Sequence, residues 1–451
     1  MRCMPMRESI LQLAETKPLQ VAKLRKELSK MNMVDIGEVF EWLNKEQTIQ
    51  VFRLLPKDIA ANVFAYIEKD KQQIIVEALT DNEVGKIIEG LFANDAADFI
   101  EEMPANVVNR VLSHVNEEKR AIINQLLQYP DDSVGSIMTT EYMELWEDYN
   151  IVEAFDHIRK MKMKGLHTCY VIRRDKLLVG SISLRRLLLA KEHERVGDMM
   201  RPSAISVQTL DDQEKAARLF RKYDLLSLPV VDKEGRLVGI IEVDDAVDIV
   251  EEETTEDFEK MAAILPSEDP YLRTGVFRHS FSRVGWLLIL MLTAILTEMI
   301  ITDMEEALAI LPALAAFMPM LMDMGGNVGS QTSTLIIRSM ALDEIKFSNI
   351  LTVWWREIRV ALLCAFALSL VNAVRVLIFN PDQVLLTITV TLTLVAVITL
   401  SKSLGALLPM FAKKLHLDPA VLATPIIKTL ADVVALLIYF GIAAILIPEL
   451  R

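Results

Sequence analysis

The residues best equipped for chemistry are oxygen ligands embedded in apolar sequence. Asp432 closes the run Thr424-Pro-Ile-Ile-Lys-Thr-Leu-Ala-Asp432, inside a stretch long enough to span a bilayer. A carboxylate there costs several kcal/mol unless paired or hydrated, so it marks either an ion pathway or a buried ion pair. Lys428, one turn earlier at i and i+4, is the obvious partner for the second reading. A second constellation is Pro319-Met-Leu-Met-Asp-Met-Gly-Gly-Asn-Val-Gly-Ser-Gln331, which sets Asp323, Asn327 and Gln331 among Gly325, Gly326 and Gly329. Such a segment is tolerated in a membrane where a helix breaks beside a water-filled cavity. A close helix contact through the glycines is the competing reading. The three polar side chains favour the cavity, and Pro425 is expected to break the last helix before Asp432.

These ligand types suit a hard divalent cation. Mg²⁺ takes oxygen ligands, keeps several waters and is often held by only one or two carboxylates. A softer metal would want a His or Cys cluster, but His279 and His416 stand apart and Cys3, Cys169 and Cys364 are scattered. An odd, scattered set of cysteines offers no disulfide framework and fits a reducing compartment. Glu298, Arg375 and Lys402 also fall in apolar stretches. Helix-end snorkelling or pairing between helices accounts for them as well as conduction does. No nucleophile–base pair or phosphate loop is found, so an enzyme is not expected.

The elements that must hold these groups divide sharply by composition. The chain has 451 residues, a formal charge of −14 and a hydrophobic content of 52%, yet its mean hydropathy is +0.30. Residues 1–283 hold 38 of the 48 Lys and Arg and 50 of the 62 Asp and Glu, so the charged portion is net −12 and the remainder net −2. Five spans are expected after Arg283: 284–301, a broken region at 307–340, 360–379, 384–411 and 419–447. Arg273, Arg278 and Arg283 precede the first, whereas Asp303, Glu305 and Glu306 follow it. Lys346, Arg356 and Arg359 lie between the second and third, Asn380-Pro381-Asp382 forms the next turn, and Lys413 and Lys414 precede the fifth. Basic residues on alternate loops put the N-terminus and charged portion in the cytosol and the C-terminus outside, in a multi-pass cytoplasmic (inner) membrane protein. The N-terminus, MRCMPMRESILQLAE, has no apolar run of signal-peptide length. The acidity disfavours nucleic acid as a partner and favours divalent cations.

Within the charged portion, residues 1–131 read as successive short amphipathic helices, with Asp35–Leu43 loosely echoed in Asp95–Met103. Residues 132–194 and 195–250 are a repeat. Val134-Gly-Ser-Ile-Met138 returns as Val196-Gly-Asp-Met-Met200, and Lys176-Leu-Leu-Val-Gly180 as Arg236-Leu-Val-Gly239. This β–α–β–β–α order resembles a tandem pair of CBS domains. In that family the pair forms a disc that dimerises and often takes an adenine nucleotide such as ATP. The residues offered here are Ser183 and Arg186 in one copy and Glu242 and Asp245 in the other, with Pro229 nearby. Neither copy carries the family's full Ser/Thr-to-Asp pair, so ATP as a modulator stays open. The acidic run Asp244–Glu259 reads as a helix leading to the membrane, with the connecting segment set at 251–276 and the transmembrane domain at 277–451.

In this order the whole chain resembles the MgtE magnesium-channel family: an all-α helical-repeat N domain, an α/β tandem CBS pair, an acidic connecting helix and a five-helix α transmembrane domain. The most specific residues are Pro319, Gly325, Gly326, Asn327, Gly329 and Gln331, then Asp418-Pro419, Pro425, Asp432 and Tyr439. The resemblance implies a homodimer with one pore lined by the second and fifth spans. Asp432 would meet the hydrated ion, with Asn327 and its neighbours Asp323, Gly325, Gly326 and Gln331 along the path. It also implies closure by cytosolic Mg²⁺ held by Asp212, Glu214, Asp224, Asp245, Asp248, Glu253, Glu256 and Asp257, with Asp95 and Asp98 from the N domain. The expected function is a Mg²⁺-gated importer of Mg²⁺. Facing the pore, Lys428 would repel cations, so it is expected to point toward a neighbouring helix. A coupled Mg²⁺/Co²⁺ exchanger is the alternative that Lys428 keeps open, and a membrane-anchored nucleotide sensor is a more remote one.

Overall fold

The computed structural model describes residues 10, 13–14, 20–101, 103–161, 167–202, 204–267, 271–272, 274–379, 384–421 and 424–450. Cys3, Arg273 and the turn at 380–382 lie outside them. The chain forms two compact units, Met1–Val250 and Glu251–Arg451.

The first unit opens with short helices from Val21–Leu28 to Glu117–Leu126, Ala93–Glu101 (α1) among them. Their shortness follows from caps in the sequence. Asn44 with Gln47 and Thr80 with Glu83 form capping boxes, while Asn32 and Asn116 each accept a first-turn N–H. Phe40, Phe52, Phe64 and Phe99 run through the core as edge-to-face rings with centroids 6.3, 6.0 and 5.2 Å apart.

The repeat that follows builds two sheets. In the first, β1 (Glu144–Trp146) lies parallel to β2 (Thr168–Ile172), and β3 (Leu178–Ser183) and β4 (Arg201–Pro202) continue antiparallel. In the second, β5 (Val207–Gln208), β6 (Ser227–Val231) and β7 (Leu237–Glu242) repeat the pattern, with the helix Gln213–Tyr223 (α2) between β5 and β6. Each copy shifts register at the same place, between Val171 and Ile172 and between Val230 and Val231. The echoed leaders are exchanged. Met200-Arg201 covers Gly180 of the first copy, and Met138-Thr139 covers Gly239 of the second. A Cβ at either glycine would lie 2.6 Å or 2.7 Å from the methionine sulfur, so each leader is seated by a missing side chain.

The acidic helix is Val243–Met261 (α3) and takes in the whole Asp244–Glu259 run. It starts directly after β7 and ends where Ala263 adopts a left-handed φ of 56°. There the Ile264 N–H donates to the Glu259 carbonyl at 2.9 Å and the Ala263 N–H to Lys260 at 3.0 Å, closing the last turn.

The second unit has five long helices: Val276–Asp303 (α4), Met318–Ala341 (α5), Ile350–Phe379 (α6), Val384–Lys414 (α7) and Thr424–Leu446 (α8). Four spans among the described residues are long and apolar enough to cross a membrane: α4, 347–379, α7 and 425–446. The exception is α5, whose polar residues take it out of that class. Two corrections concern backbone continuity. The break in the second region falls at Leu311 and the 3₁₀ turn Pro312–Phe317, while the Gly325–Gly329 segment is unbroken α-helix. Pro425 sits in the first turn of α8 and starts that helix instead of interrupting it.

The glycines stay helical because neighbouring helices fill the space they leave. A Cβ at Gly325 would lie 3.0 Å from Val397 of α7, and one at Gly329 2.8 Å from Ile427 of α8. Gly405 of α7 packs directly on the Gly329 carbonyl. Beside them Lys402 donates to Glu357 of α6 at 3.1 Å and to Thr332 of α5 at 3.0 Å, a buried charge pair joining three helices. The Tyr439 hydroxyl donates to the Leu314 carbonyl at 3.1 Å, satisfying the 3₁₀ turn from α8.

Candidate functional site

The glycine face of α5 is packing, and the polar face is something else. Asp323, Asn327 and Gln331 recur every fourth residue and are all exposed on the protomer. Asn327 donates its amide to Asp323 Oδ2 at 2.9 Å. The Lys428 ammonium lies 4.0 Å from Asp323 Oδ1, so its ion pair runs to α5 and not to Asp432 on its own helix. That outcome agrees with the expectation that Lys428 points toward a neighbouring helix, and sets aside the i, i+4 partner that the spacing also offers.

Asp432 is left with a buried Oδ1 that has no hydrogen-bond partner. It lines a cavity of about 380 Å³ with Thr429 of α8, Met322 of α5, and Thr297, Glu298 and Thr302 of α4. An orphaned buried carboxylate oxygen is costly unless something pairs with it, and the same side chain lines a cavity with room for water or a cation. The group therefore fits a hydrated hard cation, and the sequence reading missed the threonines and Glu298 that share its cavity. Only the four-residue rhythm of Thr297, Ile301 and Glu298, Thr302 hinted at a common face.

A second cluster forms in the first unit. Asp95 of α1 is pushed up to about 6, first by burial and then by the charges of Asp244 and Glu141, against the opposing pull of Lys119. Asp245 of α3 is pushed up to about 7, by burial and then by Asp244, with Asp95 and Glu242 adding to it. Glu242 and the Tyr66 phenol are raised for the same reasons. Carboxylates distant in sequence thus crowd together where α1 meets the start of α3. Lys119, 2.9 Å from Glu141, supplies a positive charge there. Glu141 and Lys119 were invisible to sequence reasoning because nothing in their spacing links them to Asp245.

Asp248 acts on the same Tyr66 phenol as Asp95, Asp244 and Asp245, whereas Asp212, Glu214, Asp224 and Glu256 have other partners or places. Asp212 caps α2 by accepting the Glu214 N–H at 2.8 Å, Glu214 pairs with Arg218 at 3.6 Å, and Asp224 takes the left-handed position that ends the helix. Asp98 and Asp248 are exposed, while Glu253 and Asp257 are half-buried on α3. Glu256 accepts from Lys260 at 2.6 Å, and Lys260 also reaches Asp418 at 2.8 Å in the turn before α8. Ser183 caps the helix Leu184–Leu188 through the Arg186 N–H at 3.3 Å, and Pro229 is buried within β6. Among the described residues no three His, Cys, Asp or Glu side chains converge into a ready-made metal site.

A charged unit carrying a tandem sheet pair, joined through an acidic helix to apolar helices of spanning length with an orphaned carboxylate, has the make-up of a membrane transport protein. Comparison with known proteins agrees part by part. Residues 318–442 match the divalent cation transporter family, 31–132 the MgtE intracellular N domain, and 134–193 and 196–252 the CBS domain. The magnesium transporter MgtE of Thermus thermophilus is 36% identical over 340 residues, 75% of each chain. That of Bacillus subtilis is 35% identical over 341 residues, again 75% of each. The soluble part of a magnesium transporter, solved as a crystal structure, aligns at a TM-score of 0.52 with 25% identity, covering 56% of this chain and 99% of that one. The chain belongs to the MgtE family of magnesium transporters. It is a family of transporters, not of enzymes.

Proposed function

We propose that this chain forms a homodimeric Mg²⁺ channel of the cytoplasmic membrane that imports the ion and closes when cytosolic Mg²⁺ is plentiful. The observation that carries the reading is Asp432, whose Oδ1 is buried without a hydrogen-bond partner and whose side chain lines a cavity among apolar helices. A carboxylate that shares waters with Mg²⁺ would bind it without demanding full dehydration, which Mg²⁺ resists. The exposed row Asp323, Asn327 and Gln331 supports a pathway between two protomers, since a polar face on a spanning helix must meet water or protein. The alternation of Arg278 and Arg283 with Asp303, Glu305 and Glu306 supports a cytosolic first unit.

Gating follows from the crowded carboxylates. Asp95, Asp244 and Asp245 repel one another until something neutralises them, and a divalent cation does so for two at once. A ligand that favours one of two states by about 3 kcal/mol shifts their ratio over a hundredfold. ATP enters as a modulator of the CBS pair through Ser183, Pro229 and Asp245.

The direct experiment is Mg²⁺ flux into liposomes holding purified protein, wild type beside Asp432→Asn. Loss of flux with the dimer intact is expected. Flux persisting at the wild-type rate would remove Asp432 from the pathway.

A further inference from the structure

We infer that Lys428 is a tethered counter-ion of the ion pathway: its ammonium occupies Asp323 until a divalent cation displaces it, and this exchange sets the preference for divalent over monovalent cations. The inference rests on the pathway reading above and adds to it a residue that determines specificity.

The geometry is built for this. The Lys428 and Asp323 side chains are 50% and 60% exposed, so both reach the open polar face of the protomer. The lysine stem arrives by crossing the backbone of α5 at Gly326. Its Cγ, Cδ and Cε lie 2.7, 3.3 and 3.4 Å from where a Cβ at that position would stand. Only a glycine leaves that channel open. The stem ends with its ammonium 4.0 Å from Asp323 Oδ1, while Asn327 holds the other oxygen at 2.9 Å. One oxygen of the carboxylate is therefore fixed and the other faces the ammonium. Lys428 and Asp323 are also the two charges that act on Asp432.

Two carboxylates and one ammonium leave a single net negative charge. A monovalent cation that displaces the ammonium from Asp323 exchanges one unit charge for another and gains nothing from Coulomb attraction. A divalent cation is attracted twice as strongly as the ammonium it displaces, and so keeps a net gain of one unit charge's attraction. The tether thus penalises monovalent ions selectively, and it explains how a lysine sits beside a cation pathway without closing it. Remove the ammonium, and both carboxylates stand open to any cation.

The test measures Mg²⁺ and Na⁺ flux in liposomes containing the full chain. Lys428→Met is expected to raise the Na⁺-to-Mg²⁺ flux ratio about tenfold or more. Lys428→Arg, which restores a cation at the end of a long stem, is expected to return the ratio to near wild type. Gly326→Ala, which pushes the stem off α5, is expected to shift the ratio in the same direction as the methionine. An unchanged ratio in Lys428→Met, or equal shifts in the Met and Arg variants, would overturn the inference. Neither result bears on the pathway itself, which stands or falls on Mg²⁺ flux in Asp432→Asn.

Discussion

Asp245→Asn is the sharpest probe of the acidic cluster. The carboxyl is raised from 3.8 to about 7 by burial and then by Asp244. Each pH unit is worth about 1.4 kcal/mol, so ionising Asp245 in the folded chain costs about 4 kcal/mol. The sign follows from the raised value. The stability contributed by the proton is fully present below pH 3.8, is lost as pH rises through about 7, and is absent at pH 8. Asn accepts the Glu242 N–H that Asp245 now receives at 3.4 Å, and it caps helices as well as Asp does. The substitution therefore removes the charge and keeps the local structure. At pH 8 in a chelator, Asp245→Asn should be more stable than wild type by up to about 4 kcal/mol, a rise in Tm of roughly ten degrees for the soluble unit. At pH 5 the advantage should shrink to less than about 2 kcal/mol. Millimolar Mg²⁺ should raise the wild-type Tm at pH 8 and raise that of the variant less. The assay is thermal unfolding of the solubilised chain across that pH range, with and without Mg²⁺. A variant equal to or less stable than wild type at pH 8 without Mg²⁺ would refute the reasoning.

Two further outcomes follow from charge pairs in the second unit. Lys402→Met strands Glu357 among α5, α6 and α7 and should cost about 3–5 kcal/mol, seen as a lower Tm in detergent. Adding Glu357→Gln should recover much of that loss. Lys260→Gln frees Glu256 and Asp418, which the ammonium now joins at 2.6 and 2.8 Å. Liposomes without internal Mg²⁺ should then show faster flux than wild type, because the end of α3 loses its tie to the turn before α8.

Much of the architecture was legible because composition and local pattern dictate it. The split of charge at residue 283 and the two copies of the Val-Gly leader are each local in sequence, and local signals survive folding. The site was legible in its parts. Asp432 stood out because an isolated carboxylate in apolar sequence is costly wherever it lies. What its oxygens touch was not legible. The Gly325–Gly329 segment looked like a broken helix because its glycines and amides were read together. In the fold they face opposite ways, the glycines against α7 and α8 and the amides outward. That Lys428 turns to a neighbouring helix was legible from the cost of a lysine facing a cation pathway, but that its partner there is Asp323 was not.

The sequence by itself determined which groups would be costly to bury, which helices would cross a membrane, and which half would carry the charge, because these depend on residue type and spacing along one chain. Only the tertiary structure decided who meets whom. It exchanged the leaders of the two sheets, brought Asp95 to Asp245, and let one lysine cross a neighbouring helix at a glycine. The physical reason is range. Propensity and hydropathy act within a few residues, whereas Coulomb forces and close packing act between surfaces that folding alone brings together.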